Sequence, residues 1–400
     1  MFNKTELEKY AATLLWGLKT ARKGNKISPY ETVMVRYDLA ALPLAEEVYR
    51  QLVERRLHVV MRANPTPGME KNFFSSADAR QLAFIGPGEK ETFAGLHGYI
   101  ALRAPDSLTH LKDADPRKIA AATMARKCTR DIMDRREEKG QFSWTLCSYP
   151  TPELARQARM SLPAYAAQVR KACFLDARDP VKKWESVYKD CMEIKKWLYG
   201  LRIKTLRMES KSMDLEILLG EKRRFLGLSG HNIPSFEVFT SPDWRGTKGV
   251  YFADFPSFRS GNYVRGIRLE FKGGRAVKVK AAQGEDFVKK MLAMDEGACR
   301  IGEFSLTDTR FSKIDRFMAD TLYDENVGGK NGNSHIAVGS SYSDTYDGDS
   351  ASLGKTQKAR LGFNESSLHW DLVNIEDKRV TAVTAGGKNV TVYEKGKFKY

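Results

Sequence analysis

Apolar side chains in the first half of the chain recur in two alternating rhythms. Leu7, Tyr10, Leu14, Leu15 and Leu18 return at helical spacing, one face of an amphipathic helix. Thr32–Tyr37 then reads as a β-branched, apolar strand. Leu44, Val48, Leu52 and Val53 return to helical spacing, and Leu57-His58-Val59-Val60-Met61 reads as a second strand. A strand at Gly98–Arg103, a helix near Pro116–Arg135 and a strand at Gln141–Ser148 continue the alternation. Strands separated by helices predict an N-terminal domain built on a parallel α/β sheet.

The rhythm changes beyond residue 178. Pro152 and Pro163 stand near helix starts, where a missing N–H does no harm, and Asp179-Pro180 opens a long helix to about Leu198. After Leu201 short strands dominate, at Arg202–Arg207, Asp214–Leu218, Val250–Phe252, Val264–Phe271 and Ala276–Ala281. The last two flank Lys272-Gly273-Gly274-Arg275, a hairpin sequence. A helix near Asp286–Met294 and further strands complete the expectation. It is an N-terminal α/β domain over 1–178, followed by a C-terminal mixed-sheet α+β domain over 179–400.

Composition narrows the function classes. A chain of 400 residues with 42% hydrophobic content has length for a core in each domain. No apolar run is long enough to cross a membrane, and Met1–Glu6 lacks the apolar stretch of a signal peptide. Five cysteines without a C-x-x-C pair point to a reducing, cytoplasmic setting rather than a disulfide framework. The net charge of +16 raises nucleic-acid binding as a reading. The last hundred residues carry a net −1 and the first 300 a scattered +17, which favours a basic enzyme. The loop after the first strand, Asp38–Pro43, has no glycine for a dinucleotide pyrophosphate, and Gly354-Lys355-Thr356 lacks the earlier glycine of a phosphate loop.

Candidate chemistry concentrates toward the C-terminus. In His369-Trp370-Asp371 the imidazole and carboxylate stand two apart on a strand, so they share a face with Trp370 behind. Such a pair suits a divalent metal or a simple His–Asp hydrogen bond. His335 opens the short strand His335–Gly339, and Tyr342 follows through a Gly-Ser-Ser turn. Glu237 and Glu303 sit among apolar neighbours, where a carboxylate is costly unless it meets a cation. The alternative for each glutamate is an exposed strand edge. Together, three carboxylates and two imidazoles make a ligand set for two adjacent divalent ions. His58, His97, His110 and His231 lie outside this grouping.

A longer string of residues carries a specific resemblance. It runs Asn232-Ile233-Pro234, Glu237-Val238-Phe239-Thr240-Ser241-Pro242, Gly302-Glu303, Asp324-Glu325, His335–Gly339, Tyr342, and Asn364, Ser366 and His369–Val373. Ser143-Trp144, Pro150-Thr151-Pro152 and the Asp179-Pro180 helix opening with Trp184 extend it over most of the chain. The sequence resembles the aminopeptidase T/aminopeptidase S family of dimetal aminopeptidases. The resemblance implies metal ligands at Glu237, Glu303, His335, His369 and Asp371, with Glu303 the bridging carboxylate, and an active-site tyrosine at Tyr342. It also implies peptide substrates, a homodimer that restricts access to the site, and two divalent ions. Zn, Co, Mn and Mg are the candidates. Glu325 is a candidate for a proton shuttle outside the metal shell. Phe236 stands where the family carries glycine, and the segments near 330 and 346–360 look long, which bears on substrate range. The competing readings are a non-catalytic or narrow-specificity relative that retains the metal site, and a basic nucleic-acid-binding protein.

Overall fold

The structure, a computed structural model, describes residues 1–400 with the exception of the Ala351 side chain. By internal contacts the chain divides into two compact units. One comprises Met1–Trp184 with Ser229–Pro234, the other Glu185–Leu228 with Ser235–Tyr400.

The first unit is a parallel sheet with helices. The strands run in the order His58–Ala63, Thr32–Tyr37, Gly98–Arg103, Ser143–Ser148 and Asn232–Ile233, and every pairing is parallel. The first helix, Lys4–Ala21, starts at a capping box in which Asn3 and Glu6 satisfy each other's backbone N–H groups. Its Tyr10, Leu14 and Leu18 are fully buried. Gly17 on the same helix has no room for a side chain, since a Cβ there would stand 2.8 Å from the Gly230 carbonyl oxygen. Two features depart from the sequence expectation. The helix expected near 116–135 is two helices, Pro116–Ala125 and Lys127–Glu138. The segment Asn232–Ile233 joins the parallel sheet beside Leu146 and Cys147; two residues are too few for any periodicity to reveal.

The second unit holds two larger antiparallel sheets. Eight strands run in the order Arg275–Lys280, Ile267–Lys272, Asp243–Ala253, Asp214–Leu218, Ile203–Ser210, Lys378–Thr384, Asn389–Glu394 and Lys397–Phe398. Lys272 pairs with Arg275 across Gly273-Gly274, the expected hairpin. Four strands form the other sheet, in the order His369–Asn374, Asn333–Gly339, Ile301–Thr307 and Glu237–Thr240. Alternate residues of this sheet, Val238, Phe304, Leu306, Ile336, Val338, Trp370 and Leu372, are buried on one face. Tyr251 from the eight-stranded sheet is completely buried, and its hydroxyl donates to the Leu372 carbonyl at 2.7 Å. The opposite face carries the chemistry.

Candidate metal centre

Strand periodicity and register assemble the site. Glu303 lies opposite Ala337, and Ala337 lies opposite Asp371, so one row crosses three strands. His335 sits two residues before Ala337 and pairs with Ser305 and Val373. His369 pairs with Gly339, and Glu237 pairs with Thr307 at the far edge. Residues two apart share a face, so Glu237, Glu303, His335, His369 and Asp371 all project to the same side. The middle of that side is small: Ala337 and Ser305 leave space where larger residues would fill it.

The backbone is bent to aim Glu303. The register slips between Ile301 and Glu303, a bulge that re-aims the following side chain. Gly302 is the extra residue, and a Cβ there would lie 2.2 Å from the Ser340 carbonyl oxygen. Gly339, at φ +104°, likewise has no space, with the Leu368 carbonyl oxygen 2.1 Å from a Cβ.

Two triplets emerge, each with ligand atoms within 4.8 Å of one another: Glu237, Glu303 and His335, and Glu303, His369 and Asp371. His335 Nε2 stands 3.1 Å from Glu303 Oε1 and 3.3 Å from Glu237 Oε2. His369 Nε2 stands 3.4 Å from Asp371 Oδ1 and 3.6 Å from Glu303 Oε2. Glu303 thus presents one oxygen to each imidazole. Ligands about 2.0–2.1 Å from a tetrahedral ion are roughly 3.3–3.4 Å from each other, so these separations fit a divalent cation in each triplet.

The electrostatics point the same way. Burial, followed by the neighbouring Glu237, pushes Glu303 up to about 7, against the pull of His335. Desolvation opposes the charged form of His335, but Glu237 and Glu303 hold it well above its ordinary value. His369 is likewise raised to about 9, Asp371 and Glu303 outweighing desolvation. Asp371 falls to about 2 because the imidazoles of His369 and His335 and then Arg259 overcome its burial. Protons therefore stand where cations of higher charge would be better placed. His369 Nδ1 points at the Ser340 carbonyl at 2.9 Å, an acceptor only, which leaves Nε2 directed at the carboxylates.

Tyr342 is at the rim, 44% exposed. Its ring centroid is 4.8 Å from that of His369 and 5.7 Å from that of Phe239. Its N–H donates to Ser241 Oγ at 2.8 Å. Desolvation and then the field of Glu303, Asp371, Glu325 and Glu237 raise its hydroxyl, so it remains a proton donor at neutral pH. Glu325 joins the cluster electrostatically. Desolvation, then Glu237 and Asp371, hold its carboxyl well above the usual carboxylate range. Asp324 beside it is structural, its carboxylate accepting from the N–H groups of Met318 at 2.7 Å and Asp320 at 3.1 Å.

All six residues named from the sequence are brought together in one cluster, with Glu325 beside them. Phe236, which stands where the family carries glycine, is fully buried, and its N–H donates to Asn326 Oδ1 at 2.6 Å. The four remaining histidines have other neighbours. His97 accepts from Thr32 N–H, His110 meets Glu70, His231 meets Glu137, and His58 packs beside Tyr30. Sequence reasoning missed Ala337 and Ser340, and it missed Arg259, whose Nη1 donates to the His369 carbonyl at 2.9 Å. Nothing local marks these three; strand register places Ala337, and long-range hydrogen bonds to His369 place Ser340 and Arg259.

The sequence and the fold both match known proteins. Residues 3–398 match the family described as thermophilic metalloprotease (M29). The chain is 28% identical to aminopeptidase T of Thermus thermophilus, covering 99% of this chain and 98% of that protein. It is 31% identical to aminopeptidase T of Thermus aquaticus over 64% of this chain and 65% of the relative. Aminopeptidase AmpS of Bacillus subtilis is 27% identical over 72% of this chain and 74% of its own length. The fold matches the solved structure of wild-type AmpT from Thermus thermophilus with a TM-score of 0.81 at 23% identity, covering 99% of this chain and 100% of that one. No helix among the described residues is long and apolar enough to cross a membrane. The chain belongs to the thermophilic metalloprotease (M29) family and is a metal-dependent peptidase.

Proposed function

We propose that Glu237, Glu303, His335, His369 and Asp371 hold two divalent ions, with Glu303 shared between them, and that this centre releases N-terminal residues from peptides. The enzyme is a metal-dependent aminopeptidase. The observation that carries the two-ion reading is the membership of Glu303 in both ligand triplets. A pair of ions so held supplies a water of lowered pKa and a Lewis acid for the scissile carbonyl.

The chain's own residues do the rest. Tyr342, kept protonated, donates to the oxyanion as it develops. Glu325, a carboxyl held well above the usual carboxylate range by burial and outside both triplets, carries the proton to the leaving amine. The free α-amino group of the substrate would be received by one of the two ions or by a nearby carboxyl, which would favour attack at the first peptide bond. Carboxylate and imidazole donors suit Zn, Co or Mn better than Mg, which prefers an oxygen shell and keeps its waters. Assembly as a homodimer and residence in the cytoplasm belong to the same reading.

The test compares leucine p-nitroanilide with its N-acetylated form, before and after chelation and after adding back cobalt or zinc. Cleavage of the free-amine substrate alone, lost with chelator and restored by metal, is the expected result. Equal cleavage of both substrates would refute the exopeptidase reading, and indifference to exhaustive chelation would refute the metal centre.

A further inference from the structure

We infer that Arg259 is a positioning residue for the His369–Asp371 half of the metal centre, acting through the strand that carries both side chains. The inference rests on the two-ion reading above and concerns how one half of it is held.

The two triplets are not built alike. Glu237, Glu303 and His335 come from three separate strands, whereas His369 and Asp371 both come from His369–Asn374. That strand is one edge of the four-stranded sheet, paired in it only with Asn333–Gly339; the other edge, Glu237–Thr240, carries only Glu237 of the first triplet, whereas this one carries two candidate ligands. An edge strand has one row of backbone groups outside the ladder, so its position depends on whatever else grips it. The side chains of His369 and Asp371 retain 24% and 12% exposure, against 1% for His335 and 10% for Glu237, so the imidazole rather than the carboxylate is the more open member of this half.

A hairpin grips this strand. Its arms are Ser257–Arg259 and Asn262–Val264. Arg259 Nη1 donates to the His369 carbonyl at 2.9 Å, and Trp370 Nε1 donates to Ser257 Oγ at 2.9 Å. The Arg259 guanidinium carbon lies 5.7 Å from the Trp370 ring centroid, and the Phe287 ring meets the same indole edge-on at 5.9 Å. These contacts bracket residue 370, which stands between His369 and Asp371. Fixing the carbonyl before it and the indole behind it fixes the directions of residues 369 and 371 on the opposite face. Glu237 and His335 bond elsewhere among the described residues, Glu237 to Ser235 and His335 to Glu303. Arg259 is no member of either triplet; its charge lies in the field of Asp371, and its hydrogen bond acts through the backbone of His369, a part that Arg259→Lys, which keeps the charge, separates from charge loss.

The test is metal binding, not turnover alone. Cobalt is titrated calorimetrically into the chelator-treated full chain for wild type, Arg259→Met, Arg259→Lys and His369→Ala. Wild type takes up two equivalents. Arg259→Met weakens one equivalent by about 10-fold or more, the usual loss when an outer partner of a metal ligand is removed, and changes the other less than about twofold. Arg259→Lys, which can still reach the carbonyl, recovers part of the loss. On the His369→Ala background, which retains one equivalent, adding Arg259→Met has no further effect. Equal weakening of both equivalents, or of neither, overturns the inference while leaving two ions in place. A wild-type chain that binds a single equivalent overturns the two-ion reading and the inference with it. If Arg259→Met does not fold, Ser257→Ala removes the other grip. It should weaken the same equivalent alone, and loss in both or neither refutes the clamp.

Discussion

Replacing Glu303 by Gln keeps the side chain's size and removes its charge at the one position common to both triplets. The two Glu303 oxygens lie 3.1 Å and 3.6 Å from different imidazoles, so neither triplet retains its full donor set. Structural zinc sites bind with about 10–16 kcal/mol through four ligands, hence roughly 3 kcal/mol per ligand. At 1.4 kcal/mol per decade, loss of one anionic ligand weakens an ion by about 10²-fold. Because Glu303 counts twice, both equivalents fall by about that factor, whereas His369→Ala affects one. Isothermal titration of cobalt gives the stoichiometry and affinities, and hydrolysis of leucine p-nitroanilide at fixed metal gives the activity. The expected result is two weakened equivalents, with turnover reduced at least 100-fold near micromolar metal and partly recovered at about millimolar metal. Unchanged turnover, or a loss confined to one equivalent, would refute the bridging role.

Other expectations follow from the same geometry. The metal-free centre holds protons on His335 and His369, so metal uptake near pH 7.5 should release protons; calorimetry in buffers of different ionisation enthalpy measures this, and zero release contradicts it. His369, raised to about 9 from 6.5, stabilises the metal-free fold fully below pH 6.5 and loses that contribution as pH rises through 9. The chelated protein should therefore melt lower at pH 9.5 than at pH 6.5 by more than a His369→Gln variant does. Gly302→Ala places a Cβ 2.2 Å from the Ser340 carbonyl oxygen and should cost about 1–3 kcal/mol in urea unfolding, with activity falling further as Glu303 is mis-aimed. Ser241→Ala removes the acceptor of the Tyr342 N–H, and should lower kcat by about tenfold at nearly constant KM, as loss of a buried hydrogen bond of about 1–2 kcal/mol predicts. An unchanged kcat would show that Tyr342 is held by other contacts.

Much of this protein can be read along the chain, because strand and helix periodicities are local. The alternation through residue 148 implied a parallel sheet, Lys272-Gly273-Gly274-Arg275 marked its hairpin, and His369-Trp370-Asp371 showed by spacing alone that imidazole and carboxylate share a face. The ligand residue types were legible too, since charged groups flanked by apolar neighbours are unusual. What could not be read was long-range. Glu237, Glu303, His335 and His369 are joined by strand register, and register depends on which distant strands pair. The same holds for Ala337, which owes its place between Glu303 and Asp371 to two pairings and carries no local mark. Asn232–Ile233 entered the parallel sheet through a pairing with residues more than eighty positions earlier. Arg259 became meaningful only when a hairpin met an edge strand. Local stereochemistry chose the elements and the donor chemistry; burial of two sheet faces chose the partners, because only one register puts Val238, Phe304, Ile336 and Leu372 inside while leaving the carboxylates around a common space.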